Sequence, residues 1–107
     1  MKTLYDVERE TCDHPYEVGH IINKKGELIH RENGNERSVS PPPALIKNNI
    51  FTHNHPSGLC SFSLQDVLFF IAHDGYEMRV VTAVEIVNTW MKINAPKYGY
   101  IFTEGVI

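Results

Sequence analysis

The feature that most constrains this chain is a strand, a turn and a capped helix that follow one another between His53 and Asp66. The apolar and β-branched residues that precede His55 predict a strand, and Pro56-Ser57-Gly58 must end it because proline cannot continue a ladder of hydrogen bonds. Ser63 then precedes a run of apolar residues at helical spacing, with an acidic residue three positions later, which is the pattern of a helix N-cap. The chain therefore reverses here and returns the first turn of a helix to the end of a strand.

Two histidines in this segment are spaced for joint metal binding. Residues at positions i and i+2 of a strand point to the same face, so His53 and His55 project together and Asn54 projects to the opposite face. Two imidazoles and one carboxylate are a ligand set of zinc hydrolases, and the chain reversal makes Asp66 a candidate third ligand. An ordinary structural interpretation also stays open, because strand histidines are commonly surface residues and Ser63 with Asp66 is what a helix N-terminus needs.

The whole chain predicts one α/β (α+β) domain with a mixed sheet, which comprises residues 1–107. Its length suits a single domain, and strands around one strong helix are typical of a layered architecture. The predicted elements are a helix or ordered arm at 2–11, a helix at 63–73, strands at 16–23, 27–30, 49–55, 77–83, 86–93 and 100–102, a polar loop at 31–37, brief pairing at 38–40 and a helical turn at 44–47. In the second helix the recurring apolar positions are Leu64, Val67, Leu68 and Ile71, and Asp74-Gly75 closes it.

Charge and hydropathy exclude several classes of function. The net charge of −3 and the pI of about 6.0 give no basic excess for binding a nucleic-acid backbone. No apolar run approaches the ~20 residues that a membrane helix needs, and the first residues lack the apolar region of a signal peptide. Two cysteines, Cys12 and Cys60, are too few for a disulfide framework. We therefore expect a cytoplasmic protein with reduced thiols, although a single bridge between the two cysteines stays open.

The central segment resembles a known family. His53-x-His55-Pro56, six further residues and Ser63-x-x-Asp66 match the H-x-H-P-x6-S-x-x-D signature of the JAMM (JAB/MPN) metalloprotease superfamily. Asn54 and the Pro56-Ser57-Gly58 turn are similar to the prokaryotic RadC-like branch of that superfamily. The resemblance implies a single mixed sheet flanked by helices, with a cytidine-deaminase-like architecture. It covers only the middle of the chain, and residues 84–107 match nothing that we can identify.

The resemblance also implies a site. A zinc ion would be held by His53, His55 and Asp66, with Ser63 in the active site. The family further needs a glutamate on an upstream strand, and Glu17 is the candidate, because a proline two positions earlier and small and aliphatic residues after it resemble the start of that strand.

Other glutamates are alternatives for the same place. The segment between Glu17 and His53 is shorter than is usual in eukaryotic members, which implies trimmed loops. Glu8 and Glu10 precede the predicted strand and Glu27 lies at its hairpin turn, so all three are weaker candidates. The ordinary alternative for Glu17 is an exposed strand acid.

The function that the resemblance implies is zinc-dependent hydrolysis of peptide or isopeptide bonds. In such a metalloprotease, Glu17 is the general base and the Ser63 hydroxyl helps to stabilise the oxyanion. The implied partner is a protein or peptide substrate, with a ubiquitin-like modifier among the candidates, and neither a membrane nor a nucleic acid is expected. Two alternatives stay open: a non-catalytic JAB-fold binding or assembly module, and a metal-dependent nuclease, which the acidic charge disfavours.

Other conspicuous residues are expected to be structural. The core is predicted to contain Phe51, Phe69, Phe70 and Trp90, with Phe62 near the mouth of the site. Surface or packing roles are predicted for His14, His20, His30 and His73. His20 should face away from the site, because it lies three positions after Glu17 on one strand. Cys60 is not needed for a complete ligand set, and residues 31–43 are either a functional loop or a solvated linker.

Overall fold

The structure is a computed structural model that describes residues 3–58, 62–83, 86–92 and 100–106, the last two ranges by their backbone. In chain order the elements are α1 (Leu4–Thr11), β1 (Val18–Ile22), β2 (Leu28–Asn33), a 3-10 turn (Pro43–Leu45), β3 (Ile50–Asn54), α2 (Leu64–Ala72), β4 (Glu77–Val81), β5 (Ile86–Lys92) and β6 (Tyr100–Val106). Among the described residues, no helix has the length and apolar character that crossing a bilayer requires.

The strands form one mixed sheet in the order β2-β1-β3-β4-β5-β6. β3 and β4 are parallel, and the other neighbouring pairs in this order are antiparallel. A parallel pair needs a crossover, which α2 provides because it follows the end of β3 and returns the chain to the start of β4. The prediction of a small α+β domain with a mixed sheet and helices is therefore confirmed.

The two helices contact opposite faces of the sheet. On one face, Glu8 of α1 accepts a hydrogen bond from the Thr52 hydroxyl of β3 at 2.7 Å. On the other face, Asp66 of α2 lies 3.3 Å from His53, which is the next residue of β3. The alternation of side chains along β3 thus separates an α1 face from an α2 face.

The hydrophobic core lies on the α2 face. It consists of Ile21, Ile46, Phe51, Phe70 and Met78, with Val39, Leu45, Phe62, Val67 and Phe69 packed against it and partly buried. The core predictions for Phe51 and Phe70 are confirmed. Phe69 is only partly buried, and Trp90 lies outside the residues whose side chains are described.

The buried face of α2 differs from the one that the spacing predicts, because only Val67 of the four recurring apolar positions packs against the core. Leu64, Leu68 and Ile71 are 74%, 57% and 41% exposed, whereas Phe70 is buried. α2 is apolar around most of its circumference, so spacing alone cannot select a face. Asp66 selects it, because this side chain points to the sheet and Phe70, one turn later, lies on the same side.

Two strand boundaries also differ from the prediction. β2 continues to Asn33, where polar composition predicts a loop, and charged residues are tolerated there because β2 is an edge strand. β1 begins at Val18, two residues late, because Glu17 donates its N–H to the carbonyl of Asn35 at 2.8 Å. Residues 38–40 form no strand, and the helical turn after the prolines is the 3-10 turn that begins at Pro43.

Candidate metal centre

A cleft of about 620 Å³ opens where β3 ends and α2 begins. Glu17, His55, Ser63 and Asp66 line this cleft, and His53 is buried beside them with 1% of its surface exposed. These five residues come from three parts of the chain: the segment before β1, the end of β3 and the start of α2 with its N-cap. The structure therefore brings together all five residues that the sequence singled out.

His53, in β3, and His55, the first residue after β3, both lie on the cleft side of the sheet. The His53 ring stacks on the Phe51 ring with centroids 4.9 Å apart and an interplanar angle of 12°, and it meets the His55 ring edge-on at 4.9 Å. Gly19 lies opposite His53 in β1, and a Cβ there would come within 2.8 Å of the Phe51 ring. Glycine at this position therefore leaves Phe51 free to support the His53 ring.

One oxygen of Asp66 both accepts the capping hydrogen bond at the start of α2 and faces the two histidines. Its Oδ2 accepts a hydrogen bond from the Ser63 N–H at 3.1 Å, and the Ser63 hydroxyl accepts one from the Asp66 N–H at 3.0 Å. The same Oδ2 lies 3.3 Å from His53 Nε2 and 3.4 Å from His55 Nε2. This capping box therefore fixes the carboxylate against both imidazoles and holds Ser63 at the rim of the cleft.

Glu17 lies immediately before β1 and is 5% exposed. One oxygen of its carboxylate and one nitrogen from each of His53 and His55 all lie within 4.8 Å of one another. The loop after β2 holds its backbone, because the Glu17 N–H donates to the Asn35 carbonyl and the Gly34 N–H donates to the Glu17 carbonyl, both at 2.8 Å. The ordinary interpretation of Glu17 as an exposed strand acid is therefore wrong.

The two carboxyl groups of the site have pKa values that are shifted in opposite directions. Burial raises the pKa of Asp66, but the hydrogen bonds with His53 and His55 outweigh it, so this pKa lies below its ordinary value. Burial also raises the pKa of Glu17, the two histidines oppose this less strongly, and the neighbouring Asp66 raises it further. Such a divergence is typical of sites in which one carboxyl stays ionised and another exchanges protons.

The donor set fits a divalent metal ion. Imidazole and carboxylate are ligands of zinc and of other first-row metals, and here two of each converge. His53 Nδ1 is buried without a hydrogen-bond partner among the described residues, so this ring makes its polar contact through Nε2 on the cleft side. The group of described residues that could hold an ion is Glu17, His53 and His55, whereas the sequence assigned the third ligand to Asp66. Both carboxylates lie close to the imidazoles: Asp66 Oδ2 is 3.3 and 3.4 Å from the two Nε2 atoms, and a Glu17 oxygen lies within 4.8 Å of a nitrogen of each ring.

The loop after β2 forms one wall of the cleft. From the sequence, this stretch could be either a functional loop or a solvated linker. Residues 36–40 line the cleft. Asn35 Oδ1 accepts hydrogen bonds from the N–H groups of Arg37 and Ser38 at 2.8 and 3.0 Å, which orders the loop as an Asx turn does. Among the described residues that line the cleft, Arg37 is the one arginine or lysine, and Glu36 precedes it.

The weaker candidates for the glutamate lie elsewhere. Glu8 is fully buried on the α1 face and is paired with Arg79 at 2.7 Å. Glu10 and Glu27 are exposed and do not line the cleft. Of the four candidate glutamates, Glu17 is thus the one at the site.

The remaining candidates take structural positions. His20 faces away from the site, as predicted, and lines a cavity of about 180 Å³ together with His14. His30 pairs with Glu32 at 2.9 Å, and His73 lies edge-on to the Phe69 ring. The Cys12 thiol donates a hydrogen bond to the Arg9 carbonyl at 3.5 Å, and Cys60 lies outside the described residues.

Comparisons of the chain with protein-family models, with curated proteins and with solved structures found no match.

Proposed function

We propose that this chain is a zinc-dependent hydrolase of peptide or isopeptide bonds, of the JAMM type and similar to the RadC-like branch. One observation carries the proposal: a single oxygen of Asp66 lies 3.3 and 3.4 Å from the Nε2 atoms of His53 and His55. Glu17 also lines the cleft, and one oxygen of its carboxylate lies within 4.8 Å of a nitrogen of each histidine. These are the residues that the family signature and its upstream glutamate require.

The proposed ligands of the ion are His53, His55 and Asp66. A zinc ion held there would supply Lewis-acid activation of a water molecule and polarisation of the substrate carbonyl. An ionised Asp66 and two neutral imidazoles suit this role, because each must offer a lone pair rather than a proton. The stacking of His53 on Phe51 and the helix cap on Asp66 orient two of these three side chains before an ion binds.

Glu17 and Ser63 would act on the substrate. The Glu17 carboxylate accepts a proton from the attacking water as the water oxygen bonds to the carbonyl carbon. It then delivers this proton to the amine nitrogen as the C–N bond breaks. Its buried position favours both steps, because burial brings its pKa closer to neutral pH. The Ser63 hydroxyl, fixed at the rim of the cleft, donates a hydrogen bond to the carbonyl oxygen as negative charge develops there.

The cleft suits a peptide better than a nucleic acid. Its described lining includes Glu17, Glu36 and Asp66 but one arginine, Arg37, so it lacks the basic stripe that a phosphate backbone needs. An open cleft of about 620 Å³ fits a short extended stretch of chain. The proposed substrates are therefore proteins or peptides, including the tail of a ubiquitin-like modifier.

The test of this proposal is metal-dependent turnover. Zinc-loaded protein is incubated with a panel of internally quenched peptides and with isopeptide-linked conjugates, then treated with a chelator and reloaded. We expect cleavage that is lost on chelation and returns with zinc, in wild type and equally in the control His30→Ala, whose histidine lies outside the cleft. Zinc binding without cleavage of any substrate would favour a binding module, and metal-dependent cleavage of plasmid DNA would favour a nuclease.

A further inference from the structure

We infer that Asn54, the residue between the two histidines, is a positioning residue that sets where the Glu17 carboxylate stands relative to the metal ligands. This inference rests on the proposed function, because it concerns the placement of the proposed general base. Asn54 is fully buried and lies on the face of β3 opposite the histidines, so its side chain points away from the proposed ligand atoms.

The side chain of Asn54 binds both neighbours of Glu17. Its Oδ1 accepts a hydrogen bond from the Val18 N–H at 2.7 Å. Its Nδ2 donates to the Tyr16 carbonyl at 2.9 Å and to the His14 carbonyl at 3.4 Å. One amide group therefore holds the backbone immediately before and immediately after the proposed base.

The Asn54 side chain takes over where the backbone hydrogen bonding between β1 and β3 ends. The backbone register of these strands runs from Ile22 opposite Ile50 to Gly19 opposite His53, and it stops there. One step further, Val18 bonds to the side chain of Asn54 instead of to a backbone group. The position of Glu17 across from the histidines therefore depends on the residue type at position 54.

The hydrogen bonds at position 54 require an amide side chain. The residue there must accept from one N–H group and donate to carbonyl groups. The position is fully buried, so a backbone group left without a hydrogen bond would destabilise the fold. Because Asn54 lies between His53 and His55 in sequence, the two proposed histidine ligands and the residue that places the base are consecutive residues at the end of β3. A displacement of about 1 Å at a reacting group can cost on the order of 100-fold in rate.

Asn49 provides a matched control at the other end of the same strand. Its Nδ2 donates to the Leu45 carbonyl at 2.9 Å, so Asn49→Ala also removes a side-chain hydrogen bond to the backbone, but far from the cleft. In zinc-loaded protein, Asn54→Ala should lower kcat by about 100-fold and leave KM and zinc affinity within about threefold of wild type. Asn49→Ala should leave all three within about threefold.

A double-mutant cycle separates positioning from general damage. If Asn54 acts through Glu17, kcat of Glu17→Gln/Asn54→Ala should equal that of Glu17→Gln within about twofold, because the base that Asn54 places is already gone. Independent, multiplied losses would overturn the inference, as would an Asn54→Ala protein with wild-type kcat. If Asn54→Ala does not fold, Asn54→Ser, which keeps a polar atom, goes through the same cycle with the same criteria.

A readout without turnover keeps this inference separate from the proposed function. Hydrogen exchange of the Val18 amide should be at least about tenfold faster in Asn54→Ala than in wild type and unchanged in Asn49→Ala. If the wild type cleaves nothing, the proposed function fails, and this exchange alone decides whether Asn54 holds the segment. Unchanged exchange in Asn54→Ala would overturn the inference whatever the activity.

Discussion

Replacing Glu17 by glutamine should lower kcat by about 10²–10⁴-fold, which is the contribution of general acid–base catalysis. The amide has nearly the same size as the carboxylate but cannot accept a proton from water. Zinc affinity should change little, because the proposed ligands are His53, His55 and Asp66. The measurement is steady-state kinetics on the best peptide or conjugate, with zinc affinity determined on the same preparation.

Glu27→Gln is the control for this substitution. Glu27 is an exposed glutamate of the β1–β2 hairpin, so its amide variant should match wild type in kcat and zinc affinity. Wild-type turnover by Glu17→Gln would contradict the role of Glu17 as base. Loss of zinc binding in Glu17→Gln would instead make Glu17 a ligand, in agreement with its close grouping with the two histidines, and would favour the binding module.

Arg79→Met should lower the free energy of unfolding by about 3–5 kcal/mol, which is typical of a broken buried ion pair. Arg79 donates to both carboxylate oxygens of Glu8, at 2.7 and 3.0 Å, and to Glu77 at 2.9 Å. Burial lowers the pKa of Arg79, but the hydrogen bonds and charges of Glu8 and Glu77 outweigh it, so the pKa is raised and the guanidinium stays charged. Methionine would leave two buried carboxylates without a counter-charge. Urea denaturation followed by circular dichroism measures the loss.

Arg9→Met is the matched control, because Arg9 lies in α1 next to Glu8, the partner of Arg79. Arg9 pairs with Asp6 at 3.4 Å, and its side chain is 67% exposed, so removing it should cost at most about 1 kcal/mol. Equal, small losses in the two variants would contradict the role of the buried network in holding α1 on β3. Zinc affinity should survive in folded Arg79→Met, because the network and the metal centre lie on opposite faces of the sheet.

The sequence predicted the part of the site that depends on local geometry. The shared direction of His53 and His55 follows from strand alternation, and the place of Asp66 follows from the cap that it forms with Ser63. These relations need only neighbouring residues and one chain reversal. Only the family resemblance predicts Glu17, because the place of this residue depends on Asn54, Gly34 and Asn35, which are distant in sequence.

The predictions that failed concern tertiary choices that local pattern does not encode. Spacing could not choose the buried face of α2, since most of its circumference is apolar and Asp66 sets its orientation. Composition does not predict that β2 continues through Arg31 and Glu32, because charged residues are equally typical of an edge strand and of a surface loop. Local pattern cannot predict the buried ion pair of Glu8, because its partner Arg79 lies 71 positions away.

Zinc titration of the metal-free chain against a chromophoric chelator tests the central claim most directly. We predict one zinc ion per chain in wild type and in His30→Ala. His53→Ala and Asp66→Asn should weaken binding by at least about 100-fold, because each removes a ligand of the proposed set. A wild-type chain that binds no zinc, or variants that bind it as tightly as wild type, would contradict the proposal that these side chains share one ion.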